Sequence, residues 1–188
     1  DALPIFSWFQ QHADTSMRLT KASGLDRGAA IIDVGGGAST LVDDLLDDGY
    51  TNLTVLDLSA AALAESRHRL GARSDRVTWM EADITRAAFA AHSIDLWHDR
   101  AVFHFLTTQA DREAYVEQVL RALKPGGHVI MATFGSEGPT QCSGLPVMRV
   151  VAIGLSMAVL VQGLMVLLPY PHSWWLWLLF AVDRKSVV

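Results

Sequence analysis

The sequence predicts an α/β fold: a doubly wound, mostly parallel sheet with helices on both faces. Three observations predict it. Short apolar runs end in glycine or an acid, as buried strands do. Those runs alternate with helix-period segments, the pattern of β-α-β units. The 188 residues, 51% of them hydrophobic and with a net charge of −5, suit one acidic domain with a sizeable core.

Ala29-Ala30-Ile31-Ile32-Asp33-Val34 is the first strand, closed by Gly35-Gly36-Gly37. From Ser39 the period changes. Leu41, Val42, Leu45 and Leu46 share one helical face, and Gly49 stops the helix. Asp43, Asp44, Asp47 and Asp48 fill the other face and read as solvated. Leu53-Thr54-Val55-Leu56 is the second strand. Ser59 then caps a helix that runs to Leu70, with Gly71 closing it. Val77-Thr78-Trp79-Met80 is the third strand, and Ile94-Asp95-Leu96-Trp97 the fourth. Asp111 to Leu123 is a helix with acids in its first turn, where the dipole favours them. Lys124-Pro125-Gly126-Gly127 is a turn, and His128 to Phe134 the fifth strand. Trp79 and Trp97, at strand ends, read as core residues.

Composition removes several function classes. The acid excess excludes a general nucleic-acid surface. A single cysteine, Cys142, excludes a disulfide framework and a multi-cysteine zinc site, so no metal is expected. Cys142 itself reads as a loop or core residue. No leader pattern opens the chain, which begins at Asp1 without a methionine.

The charge is unevenly spread. Residues 150–182 carry no Asp, Glu, Lys or Arg. The chain therefore divides into a domain at 1–149, an apolar tail at 150–182 and a short terminus at 183–188. As a helix, Val150 to Leu168 would span about 28 Å, close to a bilayer core of about 30 Å. Pro169 and Pro171 follow, then the tryptophan-rich Ser173 to Phe180, which suits a membrane interface. One reading is a membrane anchor. The preferred reading is that the tail is not the domain's native continuation, as a shifted reading frame would produce, and that 183–188 is an artefactual terminus. The domain is then expected to be truncated at both ends and cytoplasmic.

In a sheet of this kind ligands sit beyond the carboxyl ends of the strands. The first strand ends in Asp33 and the glycines, which allow close approach to backbone N–H groups. The second ends in Asp57, placed to accept from ribose hydroxyls. The third is followed by Glu81-Ala82-Asp83-Ile84, which offers Asp83 to an amino group. The fourth is followed by His98-Asp99-Arg100 and then His104. A dinucleotide fingerprint needs glycine where Thr40 stands, and Asp33 would repel a pyrophosphate. Asp33 suits an ammonium group instead. Ribose, adenine and a cationic amino acid together describe S-adenosylmethionine.

Ile31 to Gly37 resembles motif I of the class I S-adenosylmethionine-dependent methyltransferases. Val55-Leu56-Asp57-Leu58-Ser59 is similar to their second motif and Glu81 to Ile84 to their third. Asp95 through Phe105 is similar to the segment after strand four, and Leu123 to Gly127 to the late turn. Thr133 through Val147 resembles a loop of one bacterial subgroup. The resemblance covers about residues 7–147 and implies a Rossmann-like fold. Two features depart from it: Ser39 stands where a third glycine is frequent, and no strand alternation continues the sheet after strand five, so the family's antiparallel strands look missing. Ser7-Trp8-Phe9-Gln10 is similar to part of a substrate-side helical region.

The resemblance implies a role for each matched residue. Gly35, Gly36 and Gly37 would pass under the ribose and methionine of the cofactor. Asp33 would orient its ammonium through water, and His98 would line its methionine end. Asp57 would hold the ribose hydroxyls and Leu58 would pack on adenine. Asp83 would accept from the adenine amino group, with Ile84 packing the ring. The implied reaction is in-line methyl transfer to a small-molecule or protein acceptor, in which the protein supplies position and desolvation. For a catalytic base or anchor the candidates are His98, Asp99, Arg100 and His104. Set against these, His104 reads as a packed residue between Phe103 and Phe105, and Asp99-Arg100 as a structural ion pair. Two other functions stay open: a nicotinamide-dependent oxidoreductase, and a non-catalytic membrane-anchored nucleoside-binding module.

Overall fold

The computed structural model of the protein describes residues 11–100, 102–134 and 148–154. Helix α1 (Asp14–Ala22) leads into strand β1 (Ala30–Val34) and helix α2 (Leu41–Asp47). Strand β2 (Asn52–Asp57), helix α3 (Ala60–Leu70), strand β3 (Val77–Glu81) and strand β4 (Ile94–Arg100) follow. Helix α4 (Gln109–Ala122), strand β5 (Leu123–Phe134) and strand β6 (Met148–Gly154) complete the described elements. The sheet has the order β3-β2-β1-β4-β5-β6. Its first five strands are parallel. Strand order reverses between β1 and β4, and the carboxyl ends there frame a crevice.

Alternation along each strand feeds two apolar layers. Ile31, Val55, Leu96 and Ile130 pack with Leu41 and Leu45 of α2 and Leu63 of α3. Ile32, Val34, Trp97 and Val129 pack on the other face with Tyr115 and Val119 of α4. Trp97 is wholly buried, as expected of a core residue, and the half-buried Trp79 packs against the first layer.

Local signals explain most boundaries. The Ser59 hydroxyl accepts from the Ala62 N–H at 3.2 Å, and Gly71 ends α3 at a φ of +58°. Helix α4 begins earlier than Asp111, because Thr108 caps it by accepting from the Asp111 N–H at 3.1 Å. The Lys124–Gly127 turn is absorbed into β5 as an irregularity. The register with β4 jumps from Ile94/Leu123 to Leu96/His128, and Gly126 takes a φ of +81°.

One expectation needs correction. Strand β6 pairs antiparallel with β5 across Met148/Phe134 to Gly154/His128, so one antiparallel strand is present where none was expected. Its β-branched Val150, Val151 and Ile153 favour a strand although their run does not alternate. The described part of the tail, Val150 to Gly154, lies in β6, which runs across position 149/150. Residues 155–188 lie outside the described residues, as do Ser7 to Gln10 and Cys142. Among the described residues no helix is long and apolar enough to cross a membrane.

The acid face of α2 is not simply solvated. Asp44 accepts from the Ala13 N–H at 2.7 Å and from His12 at 2.9 Å, anchoring the start of α1. Asp48 pairs with Lys21 at 2.8 Å and Arg27 at 2.7 Å. Asp43 pairs with Arg69 of α3 at 2.7 Å. Such half-exposed pairs contribute little each, but together they fasten α2 to both neighbouring helices. Helix α1 itself was not anticipated. Its buried face is Ser16 and Thr20, which leaves no apolar stripe to read.

Candidate functional site

The glycine loop leaves β1 and is tied to β2 at once. The Gly35 N–H donates to the Leu56 carbonyl at 2.7 Å. Gly35 has a φ of +69°, the left-handed region that favours glycine, and a Cβ there would strike Val102. A Cβ on Gly36 would meet Asp33 Oδ2, and one on Gly37 would lie 2.5 Å from Asp57 Oδ2 and 2.7 Å from the Ala62 Cβ. Gly37→Ala is therefore expected to lower the unfolding free energy by about 1–3 kcal/mol through overpacking, measured by urea denaturation.

Helix α3 holds the loop from one side. The Ser66 hydroxyl donates to the Gly37 carbonyl. Arg69 Nη2 donates to the Ser39 carbonyl at 2.6 Å and to Ser66 Oγ at 3.0 Å. Neither residue was singled out from the sequence. The available signal was a serine on the apolar stripe Leu63–Ser66–Leu70, all three buried.

The three acids Asp33, Asp57 and Asp83 lie at the carboxyl ends of the adjacent strands β1 and β2 and just past β3. Asp57 Oδ2 accepts from the Gly37 N–H at 2.9 Å, and Oδ1 from the Ser59 N–H at 2.8 Å. Each carboxylate oxygen can accept a second donor, so the group both shapes the loop and keeps capacity for a diol. Beside it Leu58 is 71% exposed, an apolar platform at the rim. Asp83 Oδ1 accepts from the Thr85 hydroxyl at 2.7 Å and the Thr85 N–H at 2.9 Å. Those bonds, the hydroxyl first, hold its carboxyl below the usual range. Ile84 turns into the core with Ala87 and Phe89.

Asp33 and His98 form a buried pair across β1 and β4. His98 Nδ1 lies 2.7 Å from Asp33 Oδ1, and Nε2 lies 2.9 Å from Ser16 Oγ on α1. His98 is 2% exposed and Asp33 3%. His98 was expected to line the site or act as a base. Both its ring nitrogens are engaged, one with Asp33 and the other with Ser16. Asp33 Oδ2 is buried and has no hydrogen-bond partner among the described residues.

Asp99 is likewise withdrawn from surface chemistry, with 0% exposure. Its Oδ1 accepts from the Val102 N–H at 2.7 Å. Its Oδ2 accepts from the Phe103 N–H at 3.1 Å and the Tyr115 hydroxyl at 2.6 Å. The Tyr115 oxygen in turn accepts from the Trp97 indole N–H at 2.8 Å. Burial pushes the Asp99 carboxyl up to about 6 against these donors. Its bonds to the Val102 and Phe103 N–H groups secure the start of the 3-10 turn Phe103–Phe105. Arg100 is half-buried and donates from Nη2 to Ser39 Oγ at 3.3 Å, which places it beside the glycine loop. The His104 ring tilts onto Phe105 with centroids 4.2 Å apart, and burial lowers its pKa. Among the described residues no group of three His, Cys, Asp or Glu side chains could hold a metal ion.

Comparison with known proteins places this geometry among relatives. The profile of the methyltransferase-domain family matches residues 31–127. The ubiquinone/menaquinone biosynthesis C-methyltransferase of Roseobacter denitrificans is 30% identical over 110 residues, 57% of this chain and 43% of that protein. An S-adenosylmethionine-dependent methyltransferase structure from Mesorhizobium loti aligns with a TM-score of 0.55 at 26% identity, covering 65% of this chain and 55% of that one. The Haemonchus contortus phosphoethanolamine N-methyltransferase 2, in complex with S-adenosyl-L-methionine, gives a TM-score of 0.59 at 23% identity. That alignment covers 70% of this chain and 30% of the other, and it speaks for the fold alone. The chain thus spans less than half the length of the curated relatives it matches.

Proposed function

Because this chain belongs to the class I S-adenosylmethionine-dependent methyltransferase family, we propose that it binds S-adenosylmethionine at the rim of β1, β2 and β3 and transfers the methyl group to a small-molecule or protein acceptor. The observation that carries this reading is the buried Asp33 Oδ2 without a donor, under a glycine loop that Asp57 also holds. A buried carboxylate oxygen left unpaired is costly, and a cationic amino-acid terminus supplies the missing partner. The residues present fit the cofactor in three further respects. Asp57 has acceptor capacity for two hydroxyls, Leu58 offers an exposed apolar face, and Asp83 is held as a carboxylate.

Bound S-adenosylmethionine supplies a methyl group already activated on a sulfonium. The chain's own share is to grip and orient. Gly35 to Gly37 allow close approach, Asp33 fixes the amino-acid end, Asp57 the ribose, and Asp83 marks the adenine edge. On the acceptor side we assign Arg100 to anchoring and His104 to proton acceptance. Burial lowers the His104 pKa and so favours the neutral ring, the form a base needs.

Calorimetry with S-adenosylhomocysteine and with NADH tests the proposal. Binding of the sulfur compound without a response to NADH is the expected result. Tight NADH binding with no response to S-adenosylhomocysteine would replace the reading with the oxidoreductase alternative.

A further inference from the structure

The geometry points to Ser16 and His98 as positioning residues for the amino-acid end of the cofactor, acting through Asp33. This deepens the reading above, since it rests on Asp33 meeting the ammonium. A carboxylate only accepts hydrogen bonds, so His98 Nδ1 carries the proton that reaches Asp33 Oδ1 over 2.7 Å. In the neutral ring Nε2 is then an acceptor, and the Ser16 hydroxyl donates to it over 2.9 Å. The carboxylate on β1 thereby fixes the tautomer of the histidine on β4, and the hydroxyl on α1 holds the other edge of the ring, so that the ring in turn sets the plane of the carboxylate.

The result is an Asp33 with one oxygen consumed and the other committed. Oδ2 lies directly beneath the glycine loop, where a Cβ on Gly36 would strike it. Without the His98 N–H the carboxylate could rotate about its side-chain bond and lose that commitment. None of this touches the adenosine contacts. Asp57 and Asp83 are organised by the N–H groups of Gly37, Ser59 and Thr85, none of which bonds to Asp33 or His98. Loss of Ser16 or His98 therefore weakens recognition of the amino acid selectively.

The test compares two ligands on the full chain by calorimetry. S-adenosylhomocysteine carries the amino-acid end, whereas 5′-methylthioadenosine keeps the adenosine and thioether without it. His98→Ala is expected to weaken S-adenosylhomocysteine about tenfold or more, the scale of a charged hydrogen bond, and to leave methylthioadenosine unchanged. His98→Asn places an amide N–H near the Nδ1 position and should restore most of the loss. Ser16→Ala, a smaller change that keeps the test available if His98→Ala does not fold, is expected to cost about threefold with the same selectivity. Equal losses for both ligands, or none, would overturn the assignment. If the unaltered protein binds neither ligand, the proposed cofactor itself falls, and this inference with it.

Discussion

Asp57→Ala is expected to weaken S-adenosylhomocysteine binding by about a hundredfold or more, because two charge-assisted hydrogen bonds at ~1.5–3 kcal/mol each are removed. The loss has two sources. The ribose hydroxyls lose their acceptor, and the Gly37 and Ser59 N–H groups lose theirs. The second loss releases the glycine loop. Asp57→Asn should be nearly as damaging, since its single oxygen cannot serve both backbone donors and its NH2 group faces one of them. Calorimetry on the two variants checks the expectation. Unchanged affinity would remove Asp57 from the site.

Asp99→Ala is expected to be the most destabilising single change in the described chain, at about 3–5 kcal/mol by denaturant unfolding. It strands the buried Tyr115 hydroxyl and the part-buried Val102 and Phe103 N–H groups. The same residue has a pH signature. Its native carboxyl titrates at about 6 against a reference value of 3.8, so the folded state holds the proton more tightly than the unfolded state. Its contribution therefore favours folding most at low pH and declines as pH rises from about 4 to about 6, a change of about 3 kcal/mol for two pKa units. The difference in stability between the native chain and Asp99→Asn, followed by urea denaturation across that window, should fall as pH rises. A difference that grows with pH would mean that the three donors outweigh burial.

The sheet was legible because its signals are local. Ile31-Ile32, Leu53 to Leu56 and Val77 to Met80 are apolar runs ended by glycine or acid, and each became a strand within a residue or two of its expected place. The placement of Asp33, Asp57 and Asp83 at the sheet rim was legible for the same reason, since topology alone carries a strand-end residue there. What stayed hidden depends on partners distant in sequence. His98 and Asp99 looked like exposed chemistry because they follow a strand. Their burial comes from Ser16, some 80 positions earlier in the chain, and from Tyr115 on α4. Helix α1 escaped notice because it turns hydroxyls inward. The acid run of α2 looked like a wet surface because its basic partners, Lys21, Arg27 and Arg69, sit on other elements. Strand β6 was concealed by belonging to a long apolar stretch in which no alternation marks a pleat.

Backbone anchoring by short carboxylates gives a reason for an imbalance visible in the composition, 15 aspartates to 5 glutamates. Asp26, Asp57 and Asp83 each reach forward two residues to a backbone N–H, and Asp99 reaches three. Rings that small close around one methylene and are spoiled by two. At those corners the exchange usually counted as mildest, aspartate for glutamate, is thus a change of loop geometry. A lineage of this chain could vary its helix surfaces freely while these corners kept their side-chain length.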